Sequence, residues 1–241
     1  MPVPWLESSD AEFPPVELAL TEPNGLLAAG GDLHAWRLLD AYQRGIFPWY
    51  ESGQPILWWS PDPRLVLKPD QLRVSRSLRK LIKRRRYSLT MDSNFTAVIQ
   101  SCAESRRGDS GTWITDDMQS AFLDLHARGV AHSVEVWSGS SLVGGLYGIA
   151  MGQVFFGESM FSKEDNTSKL ALVYLVKQLQ RWNYQLIDCQ VSSEHLCSLG
   201  ATEMNRKQFT LELKKLTNSP ASSNNWQFDD DLIFTAATDE L

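Results

Sequence analysis

The chain of 241 residues is poor in cysteine, in long apolar runs and in net positive charge. Its three cysteines, Cys102, Cys189 and Cys197, are too sparse and odd in number for a disulfide scaffold, and they point to a reducing compartment. No apolar stretch approaches the roughly 18 residues of a membrane-spanning helix. Met1 to Phe13 carries Glu7, Asp10 and Glu12 where a signal peptide would have a basic start and an apolar core. These absences predict a soluble, cytoplasmic protein with no membrane partner. No internal repeat is present. At 43% hydrophobic and 22% charged residues, the composition is that of a globular protein, with length for one large domain or two small ones.

Basic residues number 23 and acidic residues 29, a net charge of −6. As a total, that argues against a nucleic-acid partner. Its distribution argues the opposite. Arg73, Arg76, Arg79, Lys80, Lys83, Arg84, Arg85 and Arg86 fall in one short run, with no acid between Asp70 and Asp92. From Thr217 onward the only charges are acidic: Asp229, Asp230, Asp231, Asp239 and Glu240. Ser75 is placed to cap a helix on which Arg79, Lys80, Lys83 and Arg84 share one face and Leu78, Leu81 and Ile82 pack on the other. Such a face suits phosphate contacts, which supply affinity and register rather than sequence readout. The bland alternative is a solvated helix face.

The pattern predicts an α+β chain. Residues 1–95 form a small N-terminal α/β domain carrying the basic helix, and residues 96–216 a domain with a mainly antiparallel sheet. Residues 217–241 form an acidic tail, mobile apart from Trp226 and Phe228. Asp32 is expected to cap a helix that stops at Gly45. Strands are expected at His132–Trp137, Leu142–Ala150, Gln153–Met160 and Leu186–Val191, with a long buried helix from Asn166 or Thr167 to Trp182.

Several motifs invite chemistry. The glycines Gly144, Gly145, Gly148 and Gly152 lack the Lys-Ser/Thr of a phosphate loop and mark close approaches within strands instead. His126, His132 and His195 match no zinc spacing. A Cys189–His195 nucleophilic pair is disfavoured because alternation turns Cys189 away from Asp188 and Gln190, toward the core. Asp188 and Gln190 share a strand face. If the long helix is a crossover, Glu158 at the end of the preceding strand meets them, giving two acids and an amide at one sheet rim. That set either satisfies itself as a buried polar network or binds a cation and positions a nucleophile. Trp49 and Trp113 lie in loops, where indoles either cover the core or stack on nucleobases.

The chain resembles the bacterial leucyl/phenylalanyl-tRNA–protein transferases. The resemblance rests on Asn24-Gly25-Leu26-Leu27-Ala28, Gly30-Gly31-Asp32-Leu33, Ala41-Tyr42-Gln43-Arg44-Gly45-Ile46-Phe47-Pro48-Trp49 and Trp58-Trp59-Ser60-Pro61-Asp62-Pro63-Arg64. It continues through Gly111-Thr112-Trp113-Ile114-Thr115, Leu142-Val143-Gly144-Gly145-Leu146-Tyr147-Gly148, Gly157-Glu158-Ser159-Met160, Leu186-Ile187-Asp188-Cys189-Gln190 and Ser198-Leu199-Gly200-Ala201. It implies a second domain like the GNAT acetyltransferases. It also implies an aminoacyltransferase that moves Leu or Phe, with Met as a third donor, from tRNA to proteins beginning with Arg or Lys, marking them for degradation. No cofactor and no metal is implied, and a monomer is expected. On the resemblance, Asp188, Gln190 and Glu158 are catalytic. Trp49 and Trp113 hold the terminal adenosine, and Leu146, Phe155 and Leu179 line the donor side-chain pocket. Arg76, Arg79, Lys80, Lys83, Arg84, Arg85 and Arg86 hold the tRNA. The competing readings are an acyl-CoA N-acetyltransferase and a non-catalytic RNA-binding module. The first is opposed by Glu164 and Asp165 where a pyrophosphate would sit; the second leaves the Glu158, Asp188 and Gln190 set unexplained.

Overall fold

The computed structural model describes residues 3–7, 11–105, 112–220 and 225–234. Asp10, Gly111, Asp239 and Glu240, which enter the sequence reading, lie outside the described residues. A small sheet begins the chain: β1 (Trp5–Leu6), β2 (Leu26–Gly30), β3 (Phe47–Pro48) and β4 (Leu57–Trp59), ordered β1-β2-β4-β3. Between β2 and β3 runs α1 (Ala35–Gln43). This helix starts two residues later than expected. The Asp32 carboxylate accepts the His34 N–H at 3.0 Å, closing a local turn, and His34 takes the cap position.

The large sheet has seven strands in the order β11-β5-β10-β9-β8-β7-β6. They are β5 (Arg64–Leu67), β6 (Ser88–Met91), β7 (Ala131–Ser138), β8 (Ser141–Met151), β9 (Val154–Ser162), β10 (Leu186–Gln190) and β11 (Thr202–Met204). Among the described residues of this sheet, only β9 and β10 pair in parallel. That geometry requires a crossover, and α5 (Thr167–Arg181) supplies it, buried around most of its circumference as its apolar sequence predicts. The α+β architecture with a mainly antiparallel sheet is as expected.

Strand alternation splits the core in two. Leu146 and Phe155 face one cluster with α5 and with α2 (Arg76–Lys83). Tyr147 and Phe156 face the other, with α3 (Phe95–Ser105), α4 (Asp116–Ala127) and the small sheet's Trp58. Helix caps follow local chemistry. The Ser75 hydroxyl accepts from Leu78 N at 3.3 Å to start α2, and Thr115 accepts from Met118 N at 3.2 Å to start α4. Gly144 is needed because α5 begins against it: a Cβ there would stand 2.4 Å from the Thr167 side chain.

A division at residue 95 would cut the large sheet, since β5 and β6 precede that point; the two sheets part between Trp59 and Arg64. The basic helix α2 buries Leu78 and Ile82 in the cluster it shares with α5, so it belongs to the larger unit. The short α6 (Glu194–Cys197) follows β10, and α7 (Arg206–Thr217), absent from the sequence reading, returns to α1, with Phe209 packed on Gly45. The acidic segment also differs from expectation. Phe228 and Leu232, the latter in α8 (Asp230–Phe234), are buried in the α5 cluster, so residues 225–234 are packed.

Candidate active site

The site lies where β5, β9 and β10 meet α1 and the small sheet. Its centre is an ion pair. The Arg64 Nε and Nη2 donate to the two Asp188 carboxylate oxygens at 2.8 and 2.7 Å, and both side chains are almost completely buried. The guanidinium also donates to Gly45 O at 3.1 Å, and its carbon lies 4.8 Å from the ring centres of both Phe47 and Phe209. Asp188 Oδ1 further accepts the Gln190 backbone N–H at 2.9 Å.

That last bond bears on the next side chain. The register of β10 against β5 shifts between Asp188 and Gln190, and Gln190 adopts φ +65°. A non-glycine residue in the left-handed region is strained, and the Asp188 carboxylate restrains it. The Gln190 amide then donates from Nε2 to Glu158 Oε1 at 2.7 Å, which leaves its Oε1 to accept. The same Glu158 oxygen receives the Tyr42 hydroxyl at 2.7 Å, from α1. Glu158 is buried, and the loss of water pushes its carboxyl up to about 8, with the nearby Asp188 charge adding to the rise against the two hydrogen bonds. Burial, then the Glu158 charge, holds the Tyr42 phenol well above its ordinary range, so it stays a donor.

A cavity of about 500 Å³ opens over this network. Trp49, Trp113, Leu146, Phe155, Glu158 and Gln190 all line it, so six of the eight expected catalytic and pocket residues share one space. Asp188 and Leu179 do not reach its wall. Asp188 is turned inward because Arg64 occupies its carboxylate. Leu179 is fully buried in the α5 cluster. Cys189, expected in the core, lines the cavity beside Gln190, because the register shift breaks the simple alternation. Burial, with the Asp188 charge beside it, pushes its thiol well up, which disfavours the thiolate. His195 also lines the cavity, its pKa pushed down by burial and by Lys169.

Trp49 is 44% exposed at the mouth, its backbone carbonyl accepting the Trp59 indole N–H at 2.7 Å. Tyr42 and Arg64 went unread as site residues. They lie 116 and 124 positions from their partners, and no local pattern joins them. On α2, Arg76, Arg79, Lys80 and Lys83 are exposed, as are Arg84, Arg85 and Arg86 beyond its end. Arg86 is tied to Glu164 at 2.8 Å.

Residues 31–62 match the family model described as the leucyl/phenylalanyl-tRNA protein transferase N-terminal domain, and residues 66–214 match the leucyl/phenylalanyl-tRNA protein transferase model. The gap between the matches coincides with the parting of the two sheets. A leucyl/phenylalanyl-tRNA–protein transferase of Nitrosospira multiformis is 54% identical over 231 residues, 96% of this chain and 99% of that protein. One from Pseudomonas fluorescens strain SBW25 is 57% identical over 216 residues, covering 90% and 96%. Among solved structures, L-PGS from Bacillus licheniformis matches with a TM-score of 0.40 at 11% identity, over 68% of this chain and 55% of that one. A GCN5-related N-acetyltransferase from Kribbella flavida matches at 0.34 and 12%, over 68% and 58%. Structural likenesses this remote carry no statement about this chain. The sequence matches do: the chain belongs to the leucyl/phenylalanyl-tRNA–protein transferase family, and is an aminoacyltransferase whose substrates are an aminoacyl-tRNA and a protein.

Proposed function

We propose that the chain moves leucine or phenylalanine, with methionine as a third donor, onto the α-amine of proteins that begin with Arg or Lys, marking them for degradation. The observation that carries this reading is that Gln190 and Glu158, joined to each other and backed by Tyr42, line a largely apolar cavity. The donor is an ester, already activated, so aminolysis needs positioning more than activation. The C–N bond forms as the bond from the acyl carbon to the 3′-oxygen breaks, and the amine's proton passes to that oxygen. An α-amine has a pKa near 8, so about a tenth is neutral at pH 7. The free Oε1 of Gln190 is suited to accept one N–H of that amine and aim its lone pair, since an amide positions a proton better than it stores one. Asp188 acts behind it, as a positioning residue through the Gln190 backbone.

Glu158 is the acceptor's counter-ion. With no cation beside it, its raised pKa favours the protonated form at pH 7. An arriving guanidinium or ammonium favours the carboxylate. Leu146 and Phe155 wall the donor side chain, and Trp49 and Trp113 flank the terminal adenosine. The exposed cations of α2 and the residues after it hold acceptor-stem phosphates, which every tRNA offers. The enzyme works as a monomer in the cytoplasm; among the described residues no helix is long and apolar enough to cross a membrane.

The direct test is formation of a Phe–Arg bond between Phe-tRNA and a peptide beginning with Arg; no product refutes the reading. The Glu158 assignment makes a pH prediction. A peptide acylated with 5-guanidinopentanoic acid carries the cationic side chain without the α-amine. The carboxyl must lose its proton to pair, so affinity is expected to rise from pH 6.5 to about 8 and then level off. In Glu158→Gln, calorimetry is expected to show binding weaker by about 10- to 100-fold and flat with pH. A pH-dependent Gln variant would reject the assignment. Replacing Arg84, Arg85 and Arg86 together by Ala is expected to weaken tRNA binding and reduce the slope of log K against log salt by about two. An unchanged slope would remove those residues from the footprint.

A further inference from the structure

The C-terminal segment reaches the back of the donor pocket. Trp226 stacks on the His132 imidazole, with ring centres 3.8 Å apart and planes 8° from parallel. That imidazole is itself fixed by a 2.7 Å contact from Nδ1 to Asp92. Trp182 and Tyr184 meet the indole edge-on at 5.1 and 6.3 Å. The fourth neighbour is Phe155, at 5.9 Å. Phe155 lines the cavity; Trp226 does not. On another side the Phe155 ring lies so close to Gly148 that a Cβ there would stand 2.7 Å from two of its atoms. The ring that walls the pocket is therefore set between a bare glycine and the indole.

The segment is anchored for this task along one face of α5, by residues spaced four and three apart. Tyr174 meets the Phe228 ring at 6.1 Å, Gln178 Oε1 accepts the Asp229 N–H at 2.9 Å, and Arg181 binds Asp229 at 2.8 Å and Asp231 at 2.6 and 2.7 Å. The acids that look in sequence like a solvated tail are the anchor of an aromatic wedge.

We infer that Trp226 is a specificity-positioning residue: it holds Phe155 forward and so limits the size of the donor side chain that the cavity takes. This rests on the reading of Phe155 as a wall of the donor pocket. Without the indole, the Phe155 ring has space to retreat and the pocket deepens. Larger donors then gain over leucine.

The test is the ratio of kcat/KM for Phe-tRNA to that for Leu-tRNA. Trp226→Ala is expected to raise it about fivefold, within the range that one pocket contact supplies. Trp226→Phe, which keeps a ring behind Phe155, is expected to return it to within twofold of the native ratio. The KM for the peptide acceptor is expected to stay within twofold throughout. A merely structural role would lower both donors alike. Phe155→Ala is measured beside them. If it moves the ratio and Trp226→Ala does not, the wedge is refuted and the donor pocket stands. If Phe155→Ala leaves the ratio unchanged, the pocket assignment itself fails. Should Trp226→Ala not fold, Trp226→Leu is read in the same way, with an unchanged ratio counting against the wedge.

Discussion

The Arg64–Asp188 pair is the interaction on which the rest of the site depends. Removing two charges from water costs several kcal/mol per ion, and their attraction offsets this only when every donor and lone pair is occupied. Here the carboxylate accepts from two of the three guanidinium nitrogens and from the Gln190 N–H, while the third nitrogen reaches Gly45 O and the guanidinium lies near two aromatic rings. These partners come from β5, β10, the turn after α1, β3 and α7. The pair thus joins the small sheet to the large one at the point where the cavity opens. It also restrains the left-handed backbone at Gln190 that turns the amide toward Glu158.

Glu158 completes the link from the other side. It receives Tyr42 from α1 and Gln190 from β10, so the polar floor ties α1 to the large sheet. Its burial has an energetic consequence as well as a chemical one. The folded carboxyl holds its proton to about pH 8, far above the unfolded value. The folded state therefore binds more protons between about pH 4.5 and 8, and its stability falls as pH rises through that window. A residue that costs stability when ionised is well placed to be ionised by a cationic ligand.

Much of this was legible in the sequence, and what was not has a physical reason. The strands from 131 to 162, the buried helix α5 and the Ser75 cap follow from periodicity and capping chemistry, which are local. The meeting of Glu158 with Gln190 followed from one topological idea, a helix crossing between parallel strands. Arg64 and Tyr42 were missed as partners because pairing across more than a hundred residues leaves no spacing to read. Asp188 was expected to face the substrate because strict alternation puts it beside Gln190; the register shift after Asp188 breaks that alternation, and Arg64 holds the carboxylate inward. The same shift brings Cys189 to the cavity. The acidic stretch looked solvated because charge composition reports on neither Arg181, waiting on α5, nor the aromatic cage around Trp226.

The central claim is that the ion pair holds the amide that positions the amine. It is tested most directly by replacing both ions at once, as Arg64→Met with Asp188→Leu. A buried pair exchanged for apolar groups of similar size is often close to neutral for stability. The double variant is therefore expected to unfold in urea within about 2 kcal/mol of the native protein. Its transfer rate is expected to fall by about 100-fold or more, as misplacement of a reacting group by about 1 Å does. A folded double variant that transfers within about threefold of the native rate would contradict the account.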